Sequence, residues 1–167
     1  MPAEWEPHAA SWLAWPHNET DWPGKFEAIP WVFGEIVRHL AQVERVHVCI
    51  QDAVLEKRAR KVLLDAGSSL KAVTFHRWRT DRIWTRDSGP IFVVNNRDRA
   101  VRNRRRKIAH PLLALIGWRF NAWAKYPDWK NDAALPARIA KSLPDHVHPC
   151  VNFLPVIGVL GRKHIEV

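Results

Sequence analysis

Two thiols, three histidines and one aspartate in an aromatic loop are the groups in this sequence whose types and settings could do chemistry. The thiols are Cys49 and Cys150, and a thiolate of depressed pKa is an effective nucleophile at neutral pH. Neither has a metal-ligand spacing such as Cys-x-x-Cys, and two cysteines are too few for a disulfide scaffold, so inert, reduced thiols are the plain reading. His8 and the pair His146, His148 have the residue type of a general base. For His8 a hydrogen-bonded structural role is the plainer reading, and no aspartate follows the pair. Asp87 sits in Trp84-Thr-Arg-Asp-Ser-Gly-Pro90, where it is either an Asx-type turn residue ahead of Gly89 or a carboxylate presented to a ligand. Trp5, Trp12 and Trp15 could line a site, but tryptophans clustered with prolines more often pack a loop.

A second chemistry comes from charge. The chain carries a net charge of +9, and such an excess invites a phosphate-backbone reading through counterion release. The excess is concentrated in residues 97–107, where Arg97, Arg99, Arg102, Arg104, Arg105, Arg106 and Lys107 face only Asp98. No aromatic is interleaved for base stacking, so a solvated segment is favoured over a nucleic-acid site. There is no metal-binding or nucleotide-binding motif, and no cofactor is expected.

The elements that must position these groups follow from pattern. With 167 residues, 47% hydrophobic and 26% charged, the chain can form one compact domain with a core, or a piece of a larger one. The longest apolar runs, 111–118 and 153–160, fall short of the ~20 residues a membrane helix needs. The N-terminus shows neither a basic n-region nor an apolar h-region, which makes a cytoplasmic protein the expectation. Residues 5–31 hold five tryptophans and four prolines without periodicity and read as an ordered loop. From Pro30, Val32, Phe33, Ile36, Val37 and Leu40 recur at helical spacing. Val46, Val48 and Ile50 alternate as a half-buried strand. Asp52 suits the cap of a helix over 53–66 that Gly67 closes. A short strand is predicted over 72–75, a loop over 80–90 carrying Asp81, Arg86, Asp87 and Ser88, and strands over 91–94 and 118–123. A third helix carries Asp132, Leu135, Ile139, Ala140 and Leu143. The order is that of an α/β fold, with a βα pattern that runs twice at a spacing of very roughly 60–70 residues.

The phrases Met1-Pro-Ala-Glu-Trp-Glu-Pro-His8, Trp12-Leu-Ala-Trp-Pro16, Asp21-Trp-Pro-Gly-Lys-Phe26, Thr80-Asp-Arg-Ile-Trp-Thr-Arg-Asp-Ser-Gly-Pro90 and Phe120-Asn-Ala-Trp-Ala-Lys-Tyr126 resemble the agmatine deiminase and bacterial peptidylarginine deiminase family. The resemblance covers residues 1–96 and 118–143. It implies a guanidine-modifying hydrolase on a five-bladed, pentein-type α/β propeller, of which this chain would supply about the first two ββαβ-type blades. It also implies a mechanism in which a cysteine thiolate attacks the guanidinium carbon, ammonia leaves, and water hydrolyses the thioether with help from a histidine. Agmatine would give N-carbamoylputrescine, a step toward putrescine. By the same resemblance Asp87 grips the substrate guanidinium, Trp84 lines the pocket and Arg86 orders the pocket loop.

Departures from the pattern set a further expectation. The family's Glu-Gly-Gly, His-x-Asp and glycine-flanked cysteine do not occur among these 167 residues, whose seven glycines are never adjacent. Residues 97–117 and 147–167 are unlike the family, as reading-frame slips would make them. The expectation is a single partial deiminase domain over 1–167 that has lost the nucleophile and base and is inactive as a truncated or frame-disrupted copy. A small guanidine is the ancestral ligand, and no membrane partner is expected. The alternative is a non-catalytic binding protein, either a partner subunit of a full-length relative or a nucleic-acid binder through 97–107; self-association stays open.

Overall fold

The computed structural model describes residue 5 and residues 9–94, 113–143 and 154–155. Its organising unit is a three-stranded parallel sheet in sequential order, built from β1 (Ala10–Ala14), β2 (Arg45–Cys49) and β3 (Val73–His76). Trp12 stands opposite His47, and Cys49 opposite His76. Two helices make the crossovers, α1 (Ile29–Leu40) and α2 (Ala53–Asp65).

Local chemistry explains these boundaries. Pro30 occupies the first turn of α1, where its missing N–H is not needed. The Asp52 side chain accepts the Leu55 N–H at 2.8 Å and caps α2. At its other end Gly67 adopts φ +77°, while Gly67 N–H and Ser68 N–H bond Leu64 O and Leu63 O, which is the Schellman pattern. The core packs Val37, Ala59 and Leu63 from the helices against Val46, Val48, Ile50 and Val73 of the sheet, with Trp15 closing it. A Cβ at Gly34 would meet Val62 Cγ1 at 3.2 Å and Ala66 Cβ at 3.3 Å, so the two helices approach closely there and even a methyl group would need its neighbours to give by a few tenths of an ångström.

The second half adds α3 (Thr85–Ser88), β4 (Ile91–Val94), β5 (Leu113–Ile116), β6 (Trp118–Arg119), α4 (Lys130–Ala133), α5 (Leu135–Ser142) and β7 (Leu154–Pro155). β4 pairs antiparallel with β5, and β6 pairs parallel with β7. The fold is α/β.

Several expectations are corrected. The opening segment contains β1, whose residues touch protein on both faces and therefore lack alternation. The loop over 80–90 contains the single turn α3. The strand predicted to reach Trp123 stops at Arg119, because Ala122, Trp123 and Ala124 take left-handed φ values of 51°, 56° and 57°. The helix around Asp132 is two helices meeting at Ala134, since Pro136 starts a new first turn. The run around residues 113–116, unassigned from pattern, is a strand.

Candidate functional site

All three parallel strands end toward the segment that follows β3, and α/β proteins gather ligand-binding loops at that end of the sheet. Residues 77–90 form this loop, and each part of it is tied down. Gln51 Nε2 donates to Thr80 O at 2.6 Å and Asn18 Nδ2 to Asp81 O at 3.3 Å. Thr85 Oγ1 donates to Trp12 O at 3.2 Å, which docks α3 on β1. Ser88 is buried and its hydroxyl donates to Trp84 O at 2.9 Å. Gly89 closes the turn with its N–H on Thr85 O, and a Cβ there would sit 2.3 Å from that oxygen.

The three residues singled out from the sequence lie on this turn. Trp84 is half-buried, while Arg86 and Asp87 are exposed. The Asp87 N–H donates to Trp84 O at 3.1 Å, so ring and carboxylate belong to the same turn. Around Trp84 the chain assembles aromatic walls. Trp123 lies 5.1 Å away and Tyr126 5.4 Å away, centroid to centroid. Phe120 meets Trp123 edge-on at 5.3 Å, and Trp123 is 51% exposed at the mouth of the cluster.

Beneath the rings lies a guanidinium of the protein's own. Arg82 is ion-paired with Asp21 and, at 3.0 Å, with Asp128. Its guanidinium carbon lies 4.8 Å from the Tyr126 ring centroid and 5.6 Å from that of Trp84. Burial works against its charge, but the hydrogen bonds to Asp128 and Asp21 outweigh that and raise its pKa. The same bond to Arg82 holds the Asp128 carboxyl below its ordinary range. Paired carboxylates and ring faces are the chemistry that suits a planar cation.

Sequence reasoning missed the support of this loop. Asp132, fully buried, accepts the N–H groups of Asp81 at 2.8 Å and Arg82 at 3.1 Å. In exchange Asp81 accepts from Asn131 N and Nδ2, both at 2.7 Å, and from Asp132 N at 3.3 Å. Burial, with Asp81 and Asp128 nearby, pushes the Asp132 carboxyl up to about 7 despite the two backbone donors. The adjacency of Asp81 and Arg82 to Trp84 was the available signal.

Other candidates fall elsewhere. Cys49, at the end of β2, is buried and its thiol is pushed up to about 12 by desolvation, the state of an inert core cysteine. Trp15 is core and Trp12 stacks on His47 at 4.3 Å, so both pack rather than line the Asp87 turn. His8, His146, His148, Cys150 and the basic tract 97–107 lie outside the described residues. Among the described residues no group of three or more metal-ligating side chains converges, and no helix is long and apolar enough to cross a membrane.

Known proteins resemble this chain in sequence and in fold. Residues 1–153 match the Porphyromonas-type peptidyl-arginine deiminase family. The agmatine deiminase of Ectopseudomonas mendocina is 33% identical over 144 residues, covering 83% of this chain and 34% of that protein. The agmatine deiminase of Pseudomonas aeruginosa is 31% identical over 145 residues, with coverages of 83% and 34%. The solved agmatine deiminase of Enterococcus faecalis superposes with a TM-score of 0.68 at 22% identity, covering 89% of this chain and 36% of that one. The chain therefore spans about a third of the length of the curated relatives it matches.

Proposed function

This chain belongs to the Porphyromonas-type peptidyl-arginine deiminase family, and from that membership we propose that it carries the guanidinium-gripping part of a deiminase site and does not complete the reaction alone. The ligand is a small guanidine, agmatine ahead of peptide-bound arginine, in line with the named activity of the relatives. The described elements are read as about two blades of a five-bladed propeller.

The observation that carries the reading is the exposed Asp87 carboxylate on the same turn as the Trp84 ring, with Trp123 and Tyr126 beside that ring. A carboxylate offers charge-assisted hydrogen bonds to a guanidinium and the rings attract its cationic face. Deimination needs a thiolate in line with the guanidinium carbon. Cys49 is buried and held protonated, and Cys150 follows Pro149 without flanking glycines. The 167 residues thus bind without turnover.

The test is a titration of the purified chain with agmatine, read by tryptophan fluorescence, alongside an assay for released ammonia. Binding that weakens at least roughly tenfold in Asp87→Asn, the loss expected for a charged hydrogen-bond partner, with no ammonia above background, is the expected result. Ammonia at an enzymatic rate overturns the inactivity, and wild-type protein that ignores agmatine overturns the site.

A further inference from the structure

Trp84 and Asp87 are held by contacts that begin just upstream of them. The turn at 81–82 has no regular secondary structure to satisfy its backbone, and a buried N–H without a partner is costly. The Asp132 carboxylate takes both N–H groups, at 2.8 and 3.1 Å, from an element about fifty residues away in sequence. The Asp81 carboxylate reciprocates onto Asn131 and Asp132 at the start of α4. The loop is thus fastened by two carboxylates that exchange backbone donors, one of them fully buried.

We propose that Asp132 is a positioning residue for the guanidine site: its charged carboxylate fixes the turn that presents Trp84 and Asp87, and loss of that charge frees the turn. The relevance to guanidine binding rests on the reading of Asp87 and Trp84 given above. A carboxylate is an acceptor through both oxygens and can hold two N–H groups at once, whereas the protonated acid carries a hydroxyl that opposes one of them. The groups facing Asp132 are Asp81 from the loop, Asp128 from the segment before α4, and the Cys49 thiol from the end of β2. The Arg82 side chain is committed to Asp21 and Asp128. Burial and the two neighbouring acids together bring protonation of Asp132 to about neutral pH, within the range where a site can respond.

Nuclear magnetic resonance of the full chain tests this directly. The amide of Asp87 and the indole N–H of Trp84 are followed from pH 5 to 8 in wild type and in Asp132→Asn. Both signals are expected to move in wild type with a common midpoint near 7, and that step is expected to vanish in the variant. Signals that stay flat across neutrality in the wild type, or a step that persists in Asp132→Asn, overturn the proposal. The wild-type titration decides the matter even if the variant does not fold. Agmatine affinity over the same range is a separate readout, since both cationic groups of agmatine keep their charge there. It is expected to fall about tenfold as Asp132 is protonated. Signals that titrate as expected in a chain that never binds agmatine leave the positioning role standing and bring down the guanidine reading; binding that is strong but insensitive to pH overturns the positioning role.

Discussion

His47 Nδ1 and His76 Nε2 lie 2.8 Å apart across the β2–β3 pair, in a hydrogen bond flanked by indoles. Trp12 stacks on both rings, at 4.3 and 4.9 Å, and Trp78 covers His76 at 4.4 Å. A hydrogen bond between two imidazoles needs one nitrogen without a proton, so two charged rings cannot form it. Burial pushes His76 down to about 4, helped by the charge of His47, and burial also lowers His47.

The pair makes the fold acid-sensitive in a defined direction. For His76 the folded pKa is depressed below the unfolded value of about 6.5. Its contribution to stability is therefore fully present above about 6.5 and is lost as pH falls toward 4. Asp132 acts in the opposite sense on global stability. The two N–H groups at 81–82 favour its charged form and hold the turn, but burial outweighs them and raises the folded pKa, so its net contribution is present below about 4 and is lost as pH rises through about 7. Urea unfolding between pH 4 and 7 is expected to show these slopes working against each other. His76→Phe should remove the acid-side loss and leave a curve that falls as pH rises. Identical slopes in wild type and His76→Phe would remove the pair as the cause.

What could be read from the chain was what lies close together along it. Asp52 and Gly67 bracket α2 because a cap and a left-handed stop act within one turn. Asp87 and Trp84 stood out because the motif that carries them is contiguous. β1 escaped notice because its neighbours on both faces come from elsewhere in the chain. The Asp81–Asp132 exchange joins residues 51 apart, and no local pattern encodes a partner at that distance. The left-handed turn at 122–124 was illegible for another reason, since alanine and tryptophan give no signal for positive φ.

Cys49 supplies a prediction about reactivity. A thiol pushed up to about 12 in a buried strand is almost wholly protonated at pH 8, and the thiol is the unreactive form. Iodoacetamide at pH 8 is expected to leave Cys49 unmodified in the folded chain and to alkylate it after denaturation, with peptide mass mapping separating it from Cys150. Rapid modification of Cys49 in the folded protein would return it to the list of nucleophile candidates.

Gly34 tests how tightly the helices that back the sheet are joined. Its position opposite Val62 Cγ1 and Ala66 Cβ leaves 3.2 and 3.3 Å for any added Cβ, so alanine is taken up only if Val62 and the backbone that carries Ala66 give by a few tenths of an ångström. Alanine also gains helix propensity, roughly 1 kcal/mol relative to glycine. Gly34→Ala is therefore expected to be near neutral. A branched side chain has no such room, and Gly34→Val should lose about 1–3 kcal/mol, the range for overpacking a filled core. If the loss arises at this contact, Val62→Ala in the same chain should recover part of it, because it removes the atom that comes nearest. Chemical denaturation of the two single variants and the double variant measures the coupling. A strictly additive double variant would mean that α1 and α2 are not in close contact at this point.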